Sequence, residues 1–490
     1  MAPHAPRRQC CSGFDPVLPR RDLLARLATG LGGIALATLL TREEKAAATP
    51  VPGDASDPPP HHPPRATRVV QIFLQGGLSH VDSFDYKPEL AARHGQSINS
   101  PERPEAFMGK VGRLHQSHWP FKQRGESGLW ISDLFPHVAA LADELVVIRS
   151  MWSGTGNHTP ATYEANSGFR TLGFPAAGAW ISYGLGCETD NLPAFVVLPD
   201  ARSWPTGGAN NWTSGFLPAR HQGVVINAQG TAIRDLKPAS GVSAEVERAR
   251  YEALAALNRH HFEARPEDDE LAARIRSYEL AAHMQLAVPE AVDLGQETAE
   301  THALYGLDRE GSAEFGRSLL LARRLLERGV RFIQVWSGAA FGSDVHWDAH
   351  ESVPNNHARE AGRIDRPVAG LLADLRNRGM LDDTLVVFNT EFGRTPYSQA
   401  AEDQAGPGRD HNPEGFSIWL AGAGLRRGMA YGATDEVGWK AAEKRVSTAD
   451  FHATLLHLLG IDHHRLTFYH NGILRRLTNV GGEVLHEILA

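Results

Sequence analysis

Cysteine is scarce: the chain has three among 490 residues, and two of them, Cys10 and Cys11, lie near the start. Only Cys187 remains beyond residue 48, so that part of the chain can form no internal disulfide and would tolerate oxidising surroundings without exploiting them. Basic charge is also in deficit. With 49 Lys and Arg against 57 Asp and Glu the formal charge is −8, which argues against nucleic acid or an anionic membrane as the main partner and favours small or neutral ligands. The uncharged run Leu27 to Thr41 is 15 residues long, short of the roughly 20 that span a bilayer as a helix, and Gly30, Gly32 and Gly33 weaken it further. No transmembrane segment is expected in the mature chain. No internal repeat or heptad is visible, and neither Gly76-Gly77 nor Gly207-Gly208 fits a phosphate loop or a dinucleotide fingerprint.

What is present is 42% apolar residues, enough for a large core, preceded by a segment different in kind. Residues 1–48 carry seven basic and four acidic residues, in the order basic stretch, apolar stretch, then Lys45-Ala46-Ala47-Ala48. Arg20-Arg21 followed by Leu23-Leu24 resembles a Tat export signal, with Pro19 in place of the usual Ser or Thr and Ala25 in place of Lys. Residues 1–48 are accordingly read as a Tat-type signal peptide and the protein as exported, periplasmic or extracellular. A short buried helix or an uncleaved anchor is the competing reading. Residues 49–66 are rich in proline and read as an extended linker. The folded domain is expected over 67–490.

Within it, Val69 to Leu74 is a nearly continuous apolar run ending at Gly76-Gly77, which predicts a buried strand opening into a loop. Leu145 to Ile148 and Ala194 to Leu198 read the same way. Over 243–288 the spacing turns helical, with Leu254, Leu257 and His261, then Leu271, Ile275 and Tyr278 on apolar stripes. This predicts a helical insertion, either packed on the sheet or serving as a binding element. Then helix Ser312 to Arg328, Gly329 and strand Val330 to Trp336 are followed by helix His357 to Arg378, Gly379 and strand Thr384 to Asn389. Helix, glycine and β-branched strand twice in succession imply crossover connections. The fold class is α/β, a mostly parallel sheet sandwiched by helices.

In such sheets ligands bind beyond the carboxyl ends of the strands. The first strand is followed by His80, Asp82 and Asp85; the second by His158, Thr159 and Glu164. Trp336 is followed by Asp344, His346, Asp348 and His350, and Asn389 by Glu391, with Gly408-Arg409-Asp410-His411 further on. Carboxylates and imidazoles from several strands thus meet at one edge, as a mixed oxygen and nitrogen metal site requires. Any one of the 24 histidines is more often a surface or capping residue, so the joint placement carries the signal. Asp348 and His350, two apart, would project to one side of an extended segment and could share an ion; a turn with an Asp cap is the alternative. Arg394 is a fixed cation near the same edge, suited to an anionic group or to an ion pair with Glu391.

The segments Phe73-Leu74-Gln75-Gly76-Gly77-Leu78-Ser79-His80-Val81-Asp82, Trp347-Asp348-Ala349-His350, Thr390-Glu391-Phe392-Gly393-Arg394-Thr395-Pro396 and Gly408-Arg409-Asp410-His411 occur in that order. Together they resemble the exported bacterial family called domain of unknown function 1501, from about Arg68 to the C-terminus. The resemblance implies a sulfatase-like member of the alkaline phosphatase superfamily. It implies that Asp348, His350 and His411 form one metal set. The second set departs from the superfamily pattern: Gln75 or Gly76 stands for an Asp, Glu391 for another, and Phe392 for a His, with Asp82 and His80 as candidate compensating ligands. His158 stands where the nucleophile is usually found, and Thr162 where an Arg is usual.

The expected function is metal-dependent hydrolysis of a sulfate or phosphate ester, small-molecule or polysaccharide. The implied ion is a divalent metal, zinc first and calcium, magnesium or manganese as alternatives. His158 would be a general base or a further ligand, Thr159 a nucleophile, and Arg394 a clamp on the anion. The alternative is a non-catalytic exported protein that keeps the fold and binds a metal or a polysaccharide.

Overall fold

The computed structural model describes residues 59–98, 106–107, 110–233, 243–265, 269–339, 346–400 and 406–490. The signal peptide, most of the linker and Asp344 lie outside the described residues. Eight strands form the central sheet: β1 (Arg68–Leu74), β2 (Leu145–Met151), β3 (Phe195–Leu198), β4 (Val224–Val225), β5 (Phe332–Ser337), β6 (Thr384–Thr390), β7 (Phe416–Gly422) and β8 (Met429–Tyr431). Their spatial order is β8-β2-β7-β6-β1-β5-β3-β4. Every pairing is parallel except the two made by β7, which runs against β6 and β2.

The sheet is mostly parallel because its strands are buried on both faces, and β1 shows how one run serves two cores. Val70, Ile72 and Leu74 enter the core that also holds Leu319 and Leu320 of α4 (Glu310–Glu327) and Leu371 and Leu372 of α5 (Val353–Asn377). Val69 and Phe73 enter a second core with Ala161 and Ala165 of α1 (His158–Ser167) and Leu455 and Leu456 of α6 (Thr448–Leu458). Helices therefore cover both faces, as the alternating pattern predicts. Arg323 of α4 and Asp374 of α5 fasten the first layer, Nε to Oδ2 at 3.0 Å.

One polar cluster interrupts the second core. Gln71 of β1, Gln334 of β5, Asn389 of β6 and Asn166 of α1 are all buried. Gln334 Nε2 donates to Asn166 Oδ1 at 2.7 Å and to Gln71 Oε1 at 3.2 Å, while Gln71 Nε2 donates to Asn389 Oδ1 at 3.3 Å. Asn166 Nδ2 donates to Thr162 O at 2.8 Å. Buried amides demand such partners, and here the partners tie α1 to three central strands.

Some element boundaries move. Helix α5 begins at Val353, four residues before His357, because Ser352 caps it through the Asn355 N–H and a proline sits in its first turn. The helical segment after residue 243 comprises α2 (Ala244–Glu263) and α3 (Asp269–Val292). Its expected apolar stripe is not the buried one: Leu254, Leu257 and Tyr278 are exposed, and α3 reaches the core through Met284, Val288 and Ala291. No described helix is long and apolar enough to cross a membrane.

Candidate metal centre

Three loops at the carboxyl ends of strands and one small sheet build the site. After β2 the chain turns through residues 152–157 into α1, whose first residue is His158. After β5, residues 346–352 bring Asp348 and His350. This segment is anchored by Trp347, whose backbone N–H donates to Gln75 O at 2.8 Å and whose indole donates to Ser337 Oγ at 3.2 Å. Gly76 makes the close approach possible. Its φ is +116°, and a Cβ there would lie 2.4 Å from Asp348 N. His411 lies on the strand Arg409–Asn412, which pairs with Gly393–Gln399 so that Arg394 and His411 are directly opposite.

His158, Asp348, His350 and His411 each offer one ligand atom, all within 4.8 Å of one another. Asp348 is the hub. His350 Nε2 lies 2.8 Å from its Oδ1, His411 Nε2 3.3 Å from Oδ1, and His158 Nε2 3.3 Å from Oδ2. The opposite nitrogen of each ring is committed to an acceptor. His158 Nδ1 donates to Glu391 Oε1 at 2.7 Å, His411 Nδ1 to Gly156 O at 2.6 Å, and His350 Nδ1 to Gln399 Oε1. With Nδ1 as the donor on that side, each Nε2 is turned toward the same carboxylate, where a metal ion would take the place of a proton, which is how metal-binding imidazoles are held. His350 Nε2 makes no aligned hydrogen bond although a carboxylate oxygen is so near. A three-imidazole, one-carboxylate set fits a four-coordinate divalent ion.

Burial disfavours the charged form of Asp348, but the Arg394 guanidinium and the three imidazoles outweigh it and hold the carboxyl well below the usual carboxylate range. Burial, with Arg394 and His158 adding to it against the pull of Asp348, pushes His411 down to about 3. His158 moves the other way: burial lowers it, yet its bonds to Asp348 and Glu391 prevail and raise it.

The remaining expected site residues fall in different places. Glu391 stands behind the cluster; besides His158, its carboxylate accepts from Gly76 N at 2.8 Å and Thr390 Oγ1 at 3.1 Å. Arg394, expected to face an anionic group, is fully buried. It donates to Gly77 O at 3.0 Å, Arg409 O at 3.2 Å, Gly76 O and Asp348 Oδ1, so it braces the hub carboxylate and points away from solvent. Asp82 is not brought to the cluster either. It accepts from Arg409 Nε at 2.8 Å, His118 N at 2.8 Å and Ser79 Oγ at 2.5 Å, a buried ion pair with its lone pairs in use. His80 donates through Nε2 to Gly438 O at 2.7 Å and also lies outside the group of four. Thr159 follows His158 in the first turn of α1, half-buried.

Sequence reasoning missed Gln399 and the Gly156 carbonyl, which fix two of the three rings, and Phe107, which stacks on His411 with centroids 4.9 Å apart. Phe392, noted only as a departure, packs its ring against both His158 and His411, at 4.7 Å from each.

Residues 66–489 match the family described as protein of unknown function (DUF1501). The chain belongs to that family. No curated protein matches this DUF1501 chain. Among solved structures it is similar to a lipoteichoic acid synthase from Listeria monocytogenes, with 10% identity and a TM-score of 0.37 over 82% of this chain and 74% of that one. It is also similar to a sulfatase from Pseudoalteromonas sp., with 14% identity and a TM-score of 0.35 over 81% and 68%. A phosphonate monoester hydrolase from Silicibacter pomeroyi has 12% identity and a TM-score of 0.31 over 66% and 68%.

Proposed function

We propose that this chain is an exported metal-dependent hydrolase of sulfate or phosphate esters, with His158, Asp348, His350 and His411 as the ligands of one divalent ion. The observation that carries the reading is the set of anchored Nδ1 atoms, which turns three Nε2 atoms toward one ionised carboxylate. Three nitrogen donors favour zinc over calcium, magnesium or manganese, which prefer oxygen. A zinc ion held there would supply Lewis acidity, and with a fifth position open, or one of the four ligands released, a water that ionises near neutral pH.

The protein's own groups then divide the work. Glu391 keeps His158 in the ligating tautomer, so His158 serves as a ligand in place of a general base. Arg394 keeps Asp348 ionised, and its burial leaves the anionic part of the substrate to other donors. Thr159 is the hydroxyl adjacent in sequence to the cluster; without its participation, attack is by water directly.

A second reading, a non-catalytic protein that binds a metal or a polysaccharide, is favoured by Phe392. Its ring occupies the flank of His158 and His411 where the superfamily pattern places a histidine of a second metal set. The two readings separate in one experiment: metal content by mass spectrometry, and turnover on sulfate, phosphate and phosphodiester substrates, for wild type, His158→Ala and His350→Ala. Hydrolysis lost with the metal in both variants supports the hydrolase. Bound metal with no turnover on any ester supports the binding protein, and absence of metal from wild type sinks the hydrolase and leaves of the second reading only polysaccharide binding.

A further inference from the structure

A second group of histidines lies where the chain joins the folded body. Residues 59–66 run along the end of α6: His62 N donates to Gly460 O at 3.1 Å, Ala66 N to Leu458 O at 2.8 Å, and Asp462 N to His61 Nδ1 at 3.0 Å. Between this segment, the turn after α6 and residues 482–486 is a cavity of about 490 Å³. His62, His457, His463, His486, Asp462 and Glu483 line it. None belongs to the Asp348 cluster.

Two ring pairs here, sharing His457, are spaced as ligands of one ion would be. The centroids of His62 and His457 are 4.5 Å apart, and those of His457 and His486 5.4 Å. Imidazoles sharing a tetrahedral ion at metal–nitrogen distances of ~2.0–2.1 Å place their centroids about 5 Å apart. His62 Nδ1 donates to Pro63 O at 3.3 Å, which leaves the lone pair on Nε2, a buried atom with no hydrogen-bond partner. Neither the His457 ring nor the His486 ring makes a hydrogen bond among the described residues, so ordinary bonding does not explain why the three rings gather. The nitrogens are not drawn together as tightly as at the Asp348 cluster. His486 is exposed, and its ring would have to turn inward to bind.

We propose that His62, His457 and His486 form a second site for a zinc-class divalent ion, with Asp462 or Glu483 completing the shell. The ligands come from three separate stretches, so the ion staples the segment at 59–66 to the end of α6 and to residues 482–486. Binding that requires the folded arrangement stabilises it by mass action.

The test strips the full-length protein with a chelator, adds zinc sulfate in excess, and measures bound zinc after gel filtration. Wild type is compared with His457→Ala/His486→Ala, with His486→Gln alone should the double variant fail to fold, and with His350→Ala/His411→Ala. The proposal expects the double variant to hold one equivalent less than wild type. It also expects zinc to slow proteolytic cleavage within residues 59–66 of wild type but not of the variant. Equal zinc in wild type and in the folded variant overturns it. The difference decides, whatever the Asp348 cluster does. If that cluster binds nothing, wild type holds one equivalent and the double variant none, which supports this site while sinking the other.

Discussion

Glu391 and His158, 233 residues apart in the chain, are joined inside the protein by a 2.7 Å hydrogen bond from Nδ1 to Oε1. The carboxylate decides which nitrogen of the ring carries the proton, and thus which one faces Asp348. Replacing Glu391 by Gln keeps the shape and removes the charge. Metal affinity is expected to fall ~10–100-fold, with the unfolding midpoint of the metal-free protein little changed. Competition against a chromogenic chelator measures it, and unaltered affinity would remove Glu391 from the site's design.

The pairing of Arg394 with Asp348 predicts a stability effect that depends on metal. Arg394→Met leaves the hub carboxylate in a buried place without its counter-charge, and breaking such a pair costs about 3–5 kcal/mol. Saturating zinc should restore part of the loss by supplying positive charge at the same carboxylate. Arg394→Lys should not substitute, because one ammonium cannot serve three carbonyls and a carboxylate arranged around a planar fork. Urea denaturation with and without zinc checks both statements; a loss that zinc does not touch would separate Arg394 from the cluster.

Gly76→Ala tests the close approach of β1's end to the Asp348 segment. The added methyl would collide with backbone at 2.4 Å from Asp348 N and 2.6 Å from Trp347 N, and a positive φ there is strained for alanine. The segment must retreat and take Asp348 with it. A destabilisation of about 1–3 kcal/mol together with weaker metal binding is expected, from thermal denaturation and zinc titration on the same preparation. Destabilisation with full metal affinity would show that the segment's placement does not control the site.

Acid should destabilise the fold well above the carboxylate range. Burial holds His357 at about 3 and His452 at about 4 in the folded state, against 6.5 for an unstrained histidine. Between those values the unfolded chain binds protons that the folded chain refuses. The stability each contributes is whole above about pH 6.5 and drains away as pH falls toward 4 and 3. His452 lies outside the metal cluster and donates through Nε2 to Ala165 O at 3.1 Å. In His452→Gln the slope of unfolding free energy against pH between 6 and 4.5 should be shallower than in wild type by about 1.4 kcal/mol per pH unit. Parallel slopes would mean that this imidazole titrates normally.

Much of this was legible in the sequence, and the part that was not has a common cause. The alternation of helix, glycine and β-branched strand from Ser312 to Asn389 reads correctly because it reports local periodicity and capping, with Gly329 and Gly379 both at positive φ. Asp348, His350 and His411 were legible as strand-end donors. What escaped depends on partners distant in the chain. Asp82 reads as a free carboxylate until Arg409, 327 residues later, is found against it. Arg394 reads as a cation available to substrate until the carbonyls of Gly76 and Gly77 are seen to surround it. β7 escaped as well, since an antiparallel strand inserted between parallel neighbours leaves no mark in crossover spacing.

The amide cluster of Gln71, Asn166, Gln334 and Asn389 has a bearing on how the protein is assembled. Three near-uniform apolar strands could slide past one another at small hydrophobic cost, but sliding would leave four amides without partners in a dry interior. One of the four belongs to the helix that begins at His158. Alignment of the strands and delivery of that histidine are thus coupled: a sheet out of register would deprive Asn166 of its strand partner, and α1, with His158 at its start, of its seat.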